Sequence, residues 1–136
     1  VLDSSFALAW ALPDETTEQA DRFFGRIKGK YVFWVPALWW YEISNALMMA
    51  QRRGRLTEPD RIRVVEIYEA LPILTDARLG PDMIRHIHAL AQDHGLSAYD
   101  TAYLELANRK GFELATLDQN LIKAAKRAGV KIARLA

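Results

Sequence analysis

Five short runs, VLD, YVFWV, PILT, FELATL and VKIARL, punctuate this chain, and the stretches between them carry helical periodicity. No other feature constrains the fold as much. A strand that pairs in parallel with the next needs a crossover of a dozen or more residues, usually a helix. The alternation therefore predicts a mainly parallel sheet with helices covering both faces. In such sheets ligands gather beyond the carboxyl ends of the strands. Chemistry-bearing side chains are expected there.

The helical stretches have legible ends. SSFALAWAL follows the first run and stops at Pro13. TTEQADRFFGRIKGK reads as a helix capped by Thr16 or Thr17 and closed in a Gly-Lys turn. Pro36 is expected in the first turn of a helix reaching Gly54, and Thr57 caps TEPDRIRVVEIYEAL. Gly95 terminates GPDMIRHIHALAQDHG, and QNLIKAAKRAG precedes the last run. In LSAYDTAYLELA, residues 96–107, the apolar arc is Tyr99, Ala102, Tyr103, Leu106 and Ala107, with Leu104 at its edge. Thr101, Glu105, Asn108 and Arg109 take the opposite face. Asp100 does not join them, because Tyr103 and Leu104 are its neighbours one turn on. Its carboxylate is expected on the packed side.

A chain of 136 residues suits one domain, 1–136, with a core of its own. The absence of cysteine excludes disulfides, thiolate metal sites and a thiol nucleophile, and it fits a reducing, cytoplasmic compartment. No apolar run approaches the roughly 20 residues that span a bilayer. The nearest, YVFWVPALWWYEISNALMMA, is interrupted by Pro36 and Glu42, so no membrane association is expected. No signal-peptide pattern opens the chain. It starts at Val1 without methionine, inside an expected strand, which leads us to expect lost residues before it. A net charge of +1 gives no bulk case for nucleic acid. Arg52, Arg53 and Arg55, like Lys123, Lys126 and Arg127, read first as solvated helix ends and second as phosphate-tracking patches.

Four acids fall where the sheet rule points or on inward helix faces. Asp3 ends the first run and Asp118 ends FELATL, while Glu42 borders the stripe of Trp39, Ile43, Ala46, Leu47 and Ala50. Each has a simpler account. Asp3 and Asp118 suit helix caps, Glu42 suits a polar edge with Asn45, Met49 and Arg53, and Asp100 with Ser97 suits a capping box. The caps leave the combination unexplained. Four carboxylates converging on one pocket would repel and raise one another's pKa unless a cation joined them. All-oxygen ligation suits magnesium or manganese rather than zinc.

The blocks LDSS, YEISNAL, LSAYDTAYLELA and LATLDQNL stand in the order and spacing of a PIN domain. Over essentially its whole length the chain resembles the VapC toxins of prokaryotic toxin–antitoxin pairs. That resemblance implies a three-layer α/β/α sandwich, a Mg2+- or Mn2+-dependent ribonuclease, a homodimer and a cognate VapB-like antitoxin. It carries Asp3, Glu42, Asp100 and Asp118 over as the catalytic and metal-binding quartet. Ser5 and Thr116 become donors that orient the carboxylates. Asn120 stands where some relatives carry another carboxylate. The implied chemistry is hydrolysis by water activated at the cation, one carboxylate acting as general base, leaving a 5′-phosphate and a 3′-hydroxyl. A PIN-like module without catalysis, binding RNA or serving assembly, is the alternative from another class.

Other families fit less well. A haloacid-dehalogenase-type phosphatase needs a second Asp where Ser5 stands, and a receiver domain would use Asp76, which reads as a turn residue. His86 and His88 diverge on their helix, and His94 suits a helix C-terminus. Trp34, Trp39 and Trp40 read mainly as core, with Trp40 and Tyr41 on a possible interface side.

Overall fold

The structure is a computed structural model and describes residues 1–14, 18–27 and 29–134. Helices α1 (Ser4–Ala11) and α2 (Glu18–Ile27) precede strand β1 (Phe33–Pro36). Helices α3 (Leu38–Arg52) and α4 (Glu58–Glu69) lead to β2 (Ile73–Asp76). Helices α5 (Pro81–His94), α6 (Ala98–Lys110) and α7 (Gln119–Arg127) complete the order. The caps expected at Thr16 or Thr17 lie outside the described residues.

The two strands pair in parallel, from Phe33 opposite Ile73 to Pro36 opposite Asp76. The other expected runs take part through single contacts. The Leu2 N–H donates to the Trp34 carbonyl at 3.0 Å, and Leu2 bridges Ala115 in parallel. Leu114 in turn bridges Ile132, also in parallel. The lateral order is thus β2, β1, residues 1–3, residues 114–115 and residue 132. From the first segment the chain builds outward on one side, then crosses over and builds on the other. Residues 1–3 and 114–115 therefore flank the point where strand order reverses, the place where open α/β sheets bind ligands.

The core explains why these segments hold their places. Leu2, Val35 and Leu114 are wholly buried in the sheet. Phe6 and Trp10 of α1 stack edge-on, and Trp10 meets Phe33 of β1 the same way. Trp39 seats α3, its ring edge-on to Tyr68 of α4 at 5.3 Å. The cap at Thr57 forms as expected, as a capping box with Asp60. Gly95 and Gly111 close α5 and α6 in the left-handed conformation, where a side chain would be strained. Among the described residues, no helix is long and apolar enough to cross a membrane.

Three expectations need correction. Pro36 ends β1 rather than opening α3, and its missing N–H interrupts the ladder only where the strand already stops. Thr101 and Glu105 are buried and Tyr99 is exposed, the reverse of the expected faces. The reason is that α6 is enclosed on most sides, and its inward polar groups are satisfied internally. Thr101 Oγ1 donates to the Ser97 carbonyl at 2.6 Å, and Arg109 Nε donates to Glu105 at 2.7 Å. Arg109 also pairs with Asp76 at 2.6 Å. Asp76 is accordingly the last paired residue of β2 and an anchor for α6, more than a turn residue.

Candidate active site

Asp3 is 5 % exposed at the carboxyl end of the first segment, and it caps α1 by position only, with no side-chain bond to the helix. Its carboxylate turns to other partners. Ser5 Oγ and Thr116 Oγ1 each donate to Asp3 Oδ2 at 2.6 Å. Ser4 approaches Oδ1 at 3.5 Å, a distance too long for a strong bond. One oxygen of Asp3 is thus firmly held and the other is only loosely engaged.

The two hydroxyls also tie the neighbouring segment to Asp3. Ser5 Oγ accepts from the Leu117 N–H at 3.2 Å, and Thr116 Oγ1 accepts from the Asp118 N–H at 3.1 Å. Asp118 in turn caps α7, accepting from the Leu121 N–H at 2.8 Å. The cap account of Asp118 holds, and Asp118 still stands beside Asp100. Thr116 is 4 % exposed, so water cannot replace its bonds. Thr116→Val is expected to cost about 1.5–3 kcal/mol, as for hydrogen bonds to charged groups. A fall in the urea midpoint would measure it, with Thr116→Ser keeping most of the wild-type value.

Glu42 on α3 and Asp100 on α6 bring their charges to the same place. Burial first, then Asp3 and Asp100, push the Glu42 carboxyl above its ordinary range, against the lowering hydrogen bond from Tyr103. Burial first, then Asp118 and Asp3, push the Asp100 carboxyl up, against the hydroxyl of Ser97. The charges of Asp3 and Asp100 thus bear on Glu42, and those of Asp118 and Asp3 bear on Asp100. The Ser97 hydroxyl accepts from the Asp100 N–H at 3.1 Å, which is one half of the expected capping box.

The donor set is hard oxygen throughout, the chemistry that magnesium and manganese prefer. Among the described residues, no three His, Asp or Glu side chains gather into a ready coordination group. Asn120 is exposed beside Asp118.

Tyr103 was not among the residues singled out from the sequence. Its ring is wholly buried, and its hydroxyl donates to Glu42 Oε1 in a short hydrogen bond. Burial and that carboxylate push the phenol far above its usual range, so it stays a donor. A signal existed: a tyrosine three residues after Asp100 shares its face, and a buried phenol needs a partner.

Comparison with known proteins covers most of the chain. A family model described as PIN domain matches residues 1–127. Ribonuclease VapC3 from Pyrobaculum aerophilum is 33% identical over 125 residues, covering 89% of this chain and 90% of that protein. The crystal structure of PAE2754 from the same organism superposes with a TM-score of 0.67 at 25% identity. That match covers 90% of this chain and 76% of the other.

Proposed function

The chain belongs to the PIN domain family, and we propose that it is a metal-dependent endoribonuclease, the toxin of a VapBC-type pair. One observation carries the proposal: at the point where the sheet reverses its strand order, Thr116 Oγ1 joins Asp3 to the Asp118 N–H, and Glu42 and Asp100 stand within reach of these charges. Like charges brought that close raise the native state's free energy, and a cation offsets the cost. The name of the relative, Ribonuclease VapC3, supports RNA as the substrate, and a VapB-like antitoxin is the partner proposed with it.

In this reading the quartet holds magnesium or manganese, with Asp3 and Asp100 central. Such an ion, when bound, neutralises phosphoryl charge and makes water a nucleophile near neutral pH. The chain's own groups do the rest. Ser5 and Thr116 hold Asp3 Oδ2 and leave Oδ1 with only the 3.5 Å approach of Ser4. Glu42 or Asp100, whichever is not bound directly to the ion, would take the proton from the attacking water. The products would be a 5′-phosphate and a 3′-hydroxyl. An antitoxin side chain that is basic would pair with the same carboxylates and exclude the ion.

Self-association belongs to the proposal as well. Leu79, Ile84 and Tyr99 stand exposed around a groove of about 750 Å³ that also involves Pro36 and Leu38. Such a concentration of apolar surface favours a covered face, which we assign to a second copy. Sedimentation should show a dimer that Ile84→Glu reduces to monomer.

The test is cleavage of labelled total RNA by antitoxin-free protein, with magnesium or manganese and with chelator. Discrete fragments that carry 5′-phosphates and vanish with chelator are expected. A catalytically silent RNA-binding or assembly module is the second reading, and the lack, among the described residues, of a ready three-carboxylate group favours it. RNA affinity indifferent to metal, with no turnover, would establish that alternative.

A further inference from the structure

Glu42 Oε1 is taken by a hydrogen bond from a side chain that no part of the mechanism has used. Building on the nuclease proposal for the same centre, we propose that Tyr103 is a positioning residue, holding Glu42 Oε1 so that Oε2 is the oxygen offered to the cation.

The geometry gives three grounds. The Tyr103 ring is 0 % exposed, so packing fixes the direction of its O–H and no water can substitute for it. The residue stands one turn after Asp100 on α6, so one helix both contributes an acid and clamps the acid contributed by α3. Glu42 itself is only half-buried on a side chain with three rotatable bonds, and the Ser4 hydroxyl that also bears on it sits on another helix, so without the phenol it would sample more rotamers. Asp3 is treated alike, one oxygen held by Ser5 and Thr116 and the other loosely engaged. Two of the four acids are therefore held by hydroxyls on one oxygen. Groups that orient ligands in this way typically change metal affinity or activity by about 10–100-fold when removed.

A purely structural tie between α3 and α6 would use the same bond, so the test must read metal and not only stability. Manganese is titrated calorimetrically into wild type, Tyr103→Phe, Glu42→Ala and the double variant, and RNA cleavage is followed in parallel. Tyr103→Phe is expected to bind manganese about 10-fold or more weakly, with kcat reduced and the KM for RNA unchanged. Added to Glu42→Ala, the same substitution should change manganese affinity no further. Unchanged affinity in Tyr103→Phe overturns the proposal, as does an equal loss in both backgrounds. Should Tyr103→Phe fail to fold, Glu42→Ala and the double variant decide, because neither leaves a carboxylate without its donor. Equal manganese affinity in those two supports the clamp, and a weaker double variant overturns it. A wild type that neither binds manganese nor cuts RNA overturns the nuclease reading itself, a result distinct from failure of the clamp alone.

Discussion

Asp100→Asn should lose RNA cleavage by roughly 10³-fold while making the metal-free protein more stable. The two effects have one cause. Burial and the carboxylates of Asp118 and Asp3 raise the Asp100 pKa, so its ionised form is disfavoured in the folded state. A raised carboxyl pKa means the native state binds more protons than the unfolded state between the two pKa values. Stability therefore falls as pH rises through that window, and the full penalty applies above the raised pKa. Asparagine keeps the shape and removes the charge. Its advantage should be greatest near pH 7, close as pH falls, and vanish near pH 4, where unfolded Asp titrates. The gain is a few degrees in Tm at most, since the group is partly exposed and solvent screens it. Manganese should reverse the order, raising the wild-type Tm through binding to the native state and leaving the variant nearly unmoved. Differential scanning fluorimetry across pH, with and without manganese, reads all of this. A variant less stable than wild type at pH 7 without metal would contradict it.

Trp39→Ala is expected to have the largest effect on stability. The side chain is 0 % exposed and packs edge-on against Trp40 at 4.8 Å and Tyr68 at 5.3 Å. Truncation of a large buried aromatic costs about 3–5 kcal/mol, a large share of the roughly 5–15 kcal/mol of a typical domain. The loss should reach the acidic centre too, because Glu42 follows Trp39 by one turn of α3. Trp39→Phe separates packing from polarity. The Trp39 indole N–H has no acceptor among the described residues, so phenylalanine removes an unsatisfied donor while keeping most of the ring. Its cost should stay below about 1.5 kcal/mol. Chemical denaturation of the two variants measures both numbers. A cost for Trp39→Phe as large as that for Trp39→Ala would contradict this account of the packing.

The fold class was legible because crossover helices leave a periodic record. Thr57, Gly95 and Gly111 marked helix ends by chemistry that acts within a few residues, so Thr57 and Gly95 could be read without tertiary knowledge. Faces of α6 could not. Thr101 and Glu105 look solvent-facing in isolation, and only the ion network through Arg109 to Asp76 makes their burial tolerable. That network joins residues 33 positions apart, which a local pattern does not record.

The same distinction applies to the site. Asp3 and Asp118 announce themselves as strand-end acids, and the Asp3–Thr116 bond follows from two adjacent strand ends. The capping account holds for Asp118, which caps α7, holds by half for Ser97 with Asp100, and fails for Asp3, whose side chain makes no bond to α1. A residue can serve both purposes, so a satisfied cap was never evidence against a role in the centre. The Tyr103–Glu42 bond was out of reach, because it needs the separation of α3 and α6 in space.

The central claim is that these carboxylates hold the cation on which cleavage depends. Crystals of the protein equilibrated with manganese, measured for anomalous scattering, test it most directly. The expected result is a peak within bonding distance of Asp3 and Asp100, at the carboxyl ends of the first segment and of residues 114–116. A map with no peak there at saturating manganese, or with the ion held by other side chains, would contradict it.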